Sequence, residues 1–310
     1  MQYKKKIIAV IIAREGSSRL PGKAIGTVHG QPMIGHIADR LKGCAGISEV
    51  IIATTINVED NIIASFAEQK KINCFRGNPE DVLDRLYHAV ADKDYDAVIE
   101  VGGDCPFVSP DLLDQGIQLY LNNEEADFVS NALLPPYTFP DGYDFILLSR
   151  KTLEKLQHEA MLQSERFQPF QYLIKNEKQF KSISFTSEIN YNHWRWTLDY
   201  PEDLQFVKRI YEELYEKNPY FSFVEIKQLL IEKPELVEIN KMHAHNTMYN
   251  SAWYTGSYVT EAHQDVQSLL NHCLILDKEK RYAEMGEFYL KASKILDELN
   301  TRANIRKLNG

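Results

Sequence analysis

Ten consecutive residues, Arg14-Glu-Gly-Ser-Ser-Arg-Leu-Pro-Gly-Lys23, hold three cations among two glycines, two serines and a proline. Glycine reaches positive φ without strain, so successive N–H groups can turn inward and form an anion-binding concavity. Arg14 and Arg19 offer forked donors to phosphate oxygens, and Lys23 offers a compact charge. Pro21 stiffens the turn. The pattern fits a polyphosphate. It is not a Walker loop, since alanine follows the lysine, and it is not GxGxxG. A solvated basic loop is the other reading of the composition. A second stretch, Gly102-Gly-Asp-Cys-Pro106, places a carboxylate where Mg²⁺ would take one or two acids together with phosphate oxygens and water. Asp104 is equally suited to forming a turn. A third carboxylate, Asp199, ends His193-Trp-Arg-Trp-Thr-Leu-Asp199 and precedes Tyr-Pro-Glu-Asp. It suits a second metal ligand, but taken alone it reads better as a helix cap. His243 and His245 form an HxH pair with too few companions for a metal site. No Ser–His–Asp or Cys–His set can be singled out.

These residues need elements to position them. Residues 7–13 are continuous, apolar and β-branched, as in a strand covered on both faces. Gly30-Gln31-Pro32 opens a helix with Met33, Ile34, Ile37 and Leu41 on one face. Strands are expected at 49–54, 72–75 and 97–101. Helices are expected at 61–69, burying Ile62, Ile63 and Phe66, and at 79–91. This alternation predicts an α/β domain with a mostly parallel sheet and right-handed crossovers. Ligands bind such sheets beyond the carboxyl ends of strands, so the basic loop and Asp104 should share one crevice. Further on, Ser109-Pro110 starts a helix, and 127–130 and 145–148 read as strands. The proline- and aromatic-rich segment 133–143 reads as a loop over the crevice or a dimer contact. Residues 152–176 read as two helices, 193–199 as a strand, and 201–216 and 223–231 as helices. After about residue 240 the character changes. We divide the chain into a domain at 1–240 and a C-terminal helical extension at 241–310. In the extension, Met285, Phe288, Tyr289, Ala292, Ile295, Leu296 and Leu299 keep a helical apolar stripe. That stripe must be buried against its own domain, a second subunit or a partner.

Composition narrows the function classes. A net charge of -9 over 310 residues argues against general nucleic-acid binding. The four cysteines lie far apart with no CxxC pair, as expected of reduced thiols in a cytoplasmic protein. Lys4, Lys5 and Lys6 before the first apolar run imitate a signal peptide, but that run stops at Arg14-Glu15 instead of a small-residue cleavage site. No run approaches the ~20 apolar residues of a membrane helix, so no membrane insertion is expected.

In order between residues 7 and 240 stand R-E-G-S-S-R-L-P-G-K, G-Q-P-M-I, A-T-T, F-R-G-N-P-E-D-V-L-D-R, G-D-C-P and R-W-T-L-D-Y-P-E-D-L. This series resembles the cytidylyltransferase family, in particular its spore-coat polysaccharide branch, which is related to the Kdo and acylneuraminate cytidylyltransferases. The resemblance implies a Rossmann-like nucleotidyltransferase fold, CTP, Mg²⁺, a sugar or sugar-acid acceptor and a homodimer. It implies that Arg14, Arg19 and Lys23 hold the triphosphate, in a loop shared with Ala13, Gly16, Ser17 and Ser18. It makes Asp104 and Asp199 the metal carboxylates, reversing the isolated reading of Asp199. It places Arg76 and the segment 81–85, with Asp84 and Arg85, near the nucleotide. Thr54 and Thr55, at another strand end, either cradle the base or cap the strand. The expected reaction is Mg-dependent transfer of CMP from CTP with release of pyrophosphate, serving surface polysaccharide or glycoconjugate synthesis. A sugar-1-phosphate nucleotidylyltransferase and a non-catalytic nucleotide-binding partner are the alternatives. Two stretches depart from the family pattern: Asp141-Gly-Tyr-Asp144 is followed by Phe145-Ile146 where an acid often stands, and Ser164-Glu-Arg-Phe-Gln-Pro169 replaces an Arg-Glu-His stretch. Both belong to the acceptor half.

Overall fold

The apolar run near the N-terminus becomes the central strand, β1 (Ile7–Ile12). Its side chains alternate between two cores, with Ile7, Ala9 and Ile11 in one and Ile8 and Val10 in the other. A strand buried on both faces has no use for polar alternation, which is why the run is continuous. The computed structural model describes residues 5–243, 265–266, 269–270, 287–288 and 290–296. After β1, the short strands β2 (Thr27–Val28) and β3 (Gln31–Pro32) form a hairpin that leads into α1 (Met33–Lys42). Then follow β4 (Ile47–Thr55), α2 (Asn61–Gln69), β5 (Asn73–Gly77), α3 (Val82–Val90) and β6 (Ala97–Gly102). The order continues with α4 (Pro110–Leu121), β7 (Phe128–Ser130), β8 (Ile146–Ser149) and α5 (Arg150–Glu159). Next come α6 (Gln163–Phe167), α7 (Phe170–Lys175), β9 (Ser182–Ser184), α8 (Pro201–Leu214) and α9 (Phe223–Glu232).

The seven-stranded sheet runs β5-β4-β1-β6-β8-β7-β9. Only β8 is antiparallel to its neighbours. Helices α1, α2, α4, α8 and α9 supply apolar side chains to the core on one face, and α3, α5 and α7 to the core on the other. Strand order reverses between β1 and β6, the switch point where an open α/β sheet leaves a crevice at its carboxyl edge. The buried Arg40 fixes this frame: its guanidinium donates to the carbonyls of Phe107, Val108, Pro219 and Phe221. It thereby ties α1 to the turn after β6 and to the corner before α9.

Three expectations change. Residues 193–199 form no ladder strand; a single bridge joins Asp141 and Arg195. Arg195 turns inward to a buried carboxylate, and Leu198 N donates to Asp104 O at 3.0 Å, so this backbone is spent on the crevice wall. Residues 152–176 belong to α5, α6 and α7, three short helices in place of two. Ile62 is 51% exposed, because α2 buries the face carrying Ile63, Phe66 and Ala67. Within the extension, Phe288 and Ala292 are buried with Leu269 against Met161 and Leu162, so part of the apolar stripe packs on its own chain. Met285, Tyr289, Leu299, His245 and Cys273 lie outside the described residues. Cys44, Cys74 and Cys105 are free thiols. No helix among the described residues is long and apolar enough to cross a membrane.

Candidate active site

Beyond β1 the chain is folded back by its own backbone. Glu15 N donates to Asp60 Oδ1 at 2.7 Å, and the Glu15 carboxylate accepts from Ile25 N at 3.1 Å. Ser17 N donates to Glu15 O, Leu20 N donates to Ser17 Oγ, and Gly22 takes φ +77°. The loop is therefore a tied structure, with its arginines left to face outward. Beyond β6, Gly103 N donates to Ile12 O at 2.8 Å. A Cβ on Gly103 would stand 2.8 Å from the Ala13 Cβ, so only glycine lets the two strand ends touch.

Between them lies a crevice of about 540 Å³. Ala13, Arg14, Gly16, Ser17, Ser18, Arg19 and Lys23 line it, and so do Arg85, Asp104 and Asp199. The sequence-derived loop and both proposed metal carboxylates are thus brought together. Lys23 Nζ stands 2.9 Å from Asp104 Oδ2 and 2.9 Å from Asp199 Oδ1. Arg19 adds a contact to Asp199 Oδ2 at 2.9 Å. Burial opposes the charge on Lys23, but Asp104 and Asp199 outweigh it and raise the ammonium above the ordinary lysine value. Burial likewise opposes the charge on Asp199, and Lys23, Arg19 and Arg195 together hold it below the usual carboxylate range. Arg14 lies 5.4 Å from the ring of Phe167 and has no hydrogen bond or ion pair among the described residues.

Asp199 is not the cap of α8. Tyr200 holds that position, and Asp203 reaches back from the first turn, accepting from Asp199 N at 3.0 Å and Tyr200 N at 2.9 Å. Asp203 also takes a two-pronged contact from buried Arg195, both prongs at 2.9 Å, and an amide from Asn240. The Asp199 side chain is thereby left to the crevice.

Thr54, Thr55, Arg76 and Asp84 lie outside the crevice lining. Both threonines are buried, and the Thr55 hydroxyl donates to Asp60, the residue that holds Glu15. Thr55 therefore supports the loop from behind. Arg76 donates to Thr55 O, Asn57 O and Asn61 Oδ1. Asp84 accepts from Gln157 at 3.1 Å and lies 3.8 Å from the Arg166 guanidinium. His243 stacks on Tyr200 and meets Glu202 at 3.0 Å.

Further lining residues come from the two stretches that depart from the family pattern. Phe167 and Gln168 come from α6 and its end. Asp141 and Asp144 form another wall, and burial, followed by the charges of Asp141 and Asp104, pushes Asp144 up to about 8. Their DG-x-D spacing was visible, but their depth in the crevice depends on Gly142. That residue takes φ +89°, and a Cβ on it would meet Thr197 backbone atoms at 2.3 Å.

The sequence model described as cytidylyltransferase matches residues 8–242. The chain belongs to the cytidylyltransferase family. This places the enzyme among CTP-dependent nucleotidyltransferases. It is 30% identical over 243 residues to the protein MJ1063 of Methanocaldococcus jannaschii, covering 76% of this chain and 94% of that one. It is 26% identical over 237 residues to the spore coat polysaccharide biosynthesis protein SpsF of Bacillus subtilis, covering 74% and 95%. Among solved structures, a cytidylyltransferase from Leptospira borgpetersenii superposes with a TM-score of 0.71 at 27% identity, covering 75% of this chain and 97% of that one. A CMP:2-keto-3-deoxy-manno-octonic acid synthetase complexed with CTP, at 20% identity and a TM-score of 0.52, shares the fold, covering 67% and 99%.

The acids of this cytidylyltransferase suit a hard cation. Asp104 and Asp199 converge on one ammonium, so these are the residues that would hold such a cation. No cluster of three or more acidic, histidine or cysteine side chains suited to a metal occurs among the described residues. A bound Mg²⁺ would complete its shell from phosphate oxygens and water, the arrangement that ion favours.

Proposed function

We propose that this cytidylyltransferase transfers CMP from CTP to a hydroxyl of a sugar or sugar acid, in the cytoplasm and as a homodimer, for synthesis of a surface polysaccharide or glycoconjugate. The observation that carries the reading is the pair Asp104 and Asp199, gathered on Lys23 and opposite the arginines of the loop. The similarity to SpsF supports the pathway class. The acceptor oxygen attacks the α-phosphorus, the bond from that phosphorus to the bridging oxygen breaks, and pyrophosphate leaves. The hydroxyl proton passes to solvent. Arg14, Arg19 and Lys23 stabilise the charge gathering on pyrophosphate, where preorganised donors act most strongly. Asp104 and Asp199 would hold Mg²⁺, which supplies charge screening and orientation of the α-phosphate.

A nucleotide-by-acceptor screen with pyrophosphate detection and a Mg²⁺ titration tests this. Release that requires CTP, acceptor and Mg²⁺ together is the expected result. Saturable CTP binding with no release on any sugar or sugar acid would reject transfer and leave a nucleotide-binding partner.

A further inference from the structure

Helix α6 spans only Gln163–Phe167, too short to be stable by its own hydrogen bonds. It is held from two sides. Toward α3, Arg166 Nε donates to Asp81 Oδ2 at 2.9 Å and Gln163 Nε2 to Glu80 O at 2.8 Å. Toward the C-terminal extension, Ser164 N donates to Asp265 Oδ1 and Ser164 Oγ to Asp265 Oδ2, both at 2.8 Å. Asp265 is only 6% exposed, and beside it Leu269, Phe288 and Ala292 close over Met161 and Leu162. The last residue of the helix, Phe167, lines the crevice and lies against Arg14. Because Arg14 has no ion pair or hydrogen bond among the described residues, the ring is its main fixed neighbour.

We propose that Asp265 is a positioning residue for the nucleotide crevice: by gripping Ser164 it lets the C-terminal extension set α6, and through Phe167 the place of Arg14. The inference rests on the reading that this crevice holds CTP. The extension then serves as a brace for a wall of the site.

The test uses full-length protein and two measurements, CTP affinity by titration calorimetry and steady-state pyrophosphate release. Wild-type binding of CTP checks the underlying reading by itself; absence of binding there rejects the crevice assignment and the inference with it. Asp265→Ala should weaken CTP binding and raise KM for CTP about three- to tenfold, in line with the loss of an aligned cation–ring contact. Asp265→Asn, which keeps one acceptor, should recover most of the affinity. In a Phe167→Ala background, Asp265→Ala should cost less than about twofold more, since coupled sites are not additive. A purely structural Asp265 would lower the melting temperature and leave CTP affinity unchanged. That result, or single effects that simply multiply in the double variant, overturns the proposal. Should Asp265→Ala fail to fold, Ser164→Ala removes the hydroxyl contact to Asp265 and carries the same comparison.

Discussion

Lys23 holds two acids at once, and its removal takes from Asp104 its ion-pair partner and leaves Asp199 to Arg19. Lys23→Ala and Asp104→Ala should each lower turnover by roughly 10²–10³. The melting temperature should stay within a few degrees of wild type, since neither side chain belongs to a core cluster. Pyrophosphate release paired with thermal unfolding separates these effects, and near-wild-type turnover in either variant rejects the site. Glu100 gives a different residue-scale expectation. Burial first, then the charges of Asp104 and Asp144, push its carboxyl up to about 8 from an ordinary 4.5. Below 4.5 folded and unfolded chains both hold the proton; between 4.5 and about 8 only the folded chain does. Stability must therefore fall as pH rises through that window. Glu100→Gln should match wild type near pH 4 and exceed it by several degrees in melting temperature near pH 8, provided the protein unfolds reversibly. Equal pH profiles for the two proteins would show that Glu100 titrates normally.

At the scale of elements, the Arg195–Asp203 pair joins the crevice wall to the start of α8, and Asn240 closes it from behind. Asp203→Ala strips a buried guanidinium of its two-pronged partner and removes the acceptor of the Asp199 and Tyr200 amides. The expected cost is about 3 kcal/mol, read as a lower urea midpoint with an unchanged slope. Gly142→Ala should lower both melting temperature and CTP affinity, since the added methyl group collides with backbone that cannot yield. A well-folded Gly142→Ala enzyme with native affinity would remove that turn from the site. These elements also show what the sequence could reveal. The loop at 14–23 and Asp104 each directly follow a strand, and strand ends are local signals. Taken alone, Asp199 read as a cap, because the bond from its amide to Asp203, four residues on, leaves no trace in the sequence; the resemblance reversed that reading. Thr54 and Thr55 occupy a strand end too, but both are buried, and the Thr55 hydroxyl donates to Asp60. The segment 193–199 has a strand's composition, yet the neighbouring position beside β6 is taken by β8.

At the scale of the whole molecule, the α/β alternation and the mostly parallel sheet were legible because buried parallel strands write themselves as apolar runs. The contribution of α6 was not, because Phe167 reaches the crevice through contacts with α3 on one side and residues near Asp265 on the other. Such long-range packing leaves no periodic trace. The proposed homodimer belongs to this scale as well. Sedimentation velocity at micromolar concentration should give a mass near twice the 35.8 kDa chain. A single species at the monomer mass would reject it.

The ammonium shared by Asp104 and Asp199 makes phosphate capture an exchange of partners. At rest the crevice supplies its own counterions: Lys23 and Arg19 are engaged with acids, while Arg14 and Arg85 make no ion pair among the described residues. A bare triphosphate that drew Lys23 away would leave two carboxylates confronting each other and the arriving charge. On the proposed reading, a triphosphate escorted by a cation would give each acid a new companion as Lys23 departs. The same two side chains would then favour the escorted form of the nucleotide before any bond is made or broken.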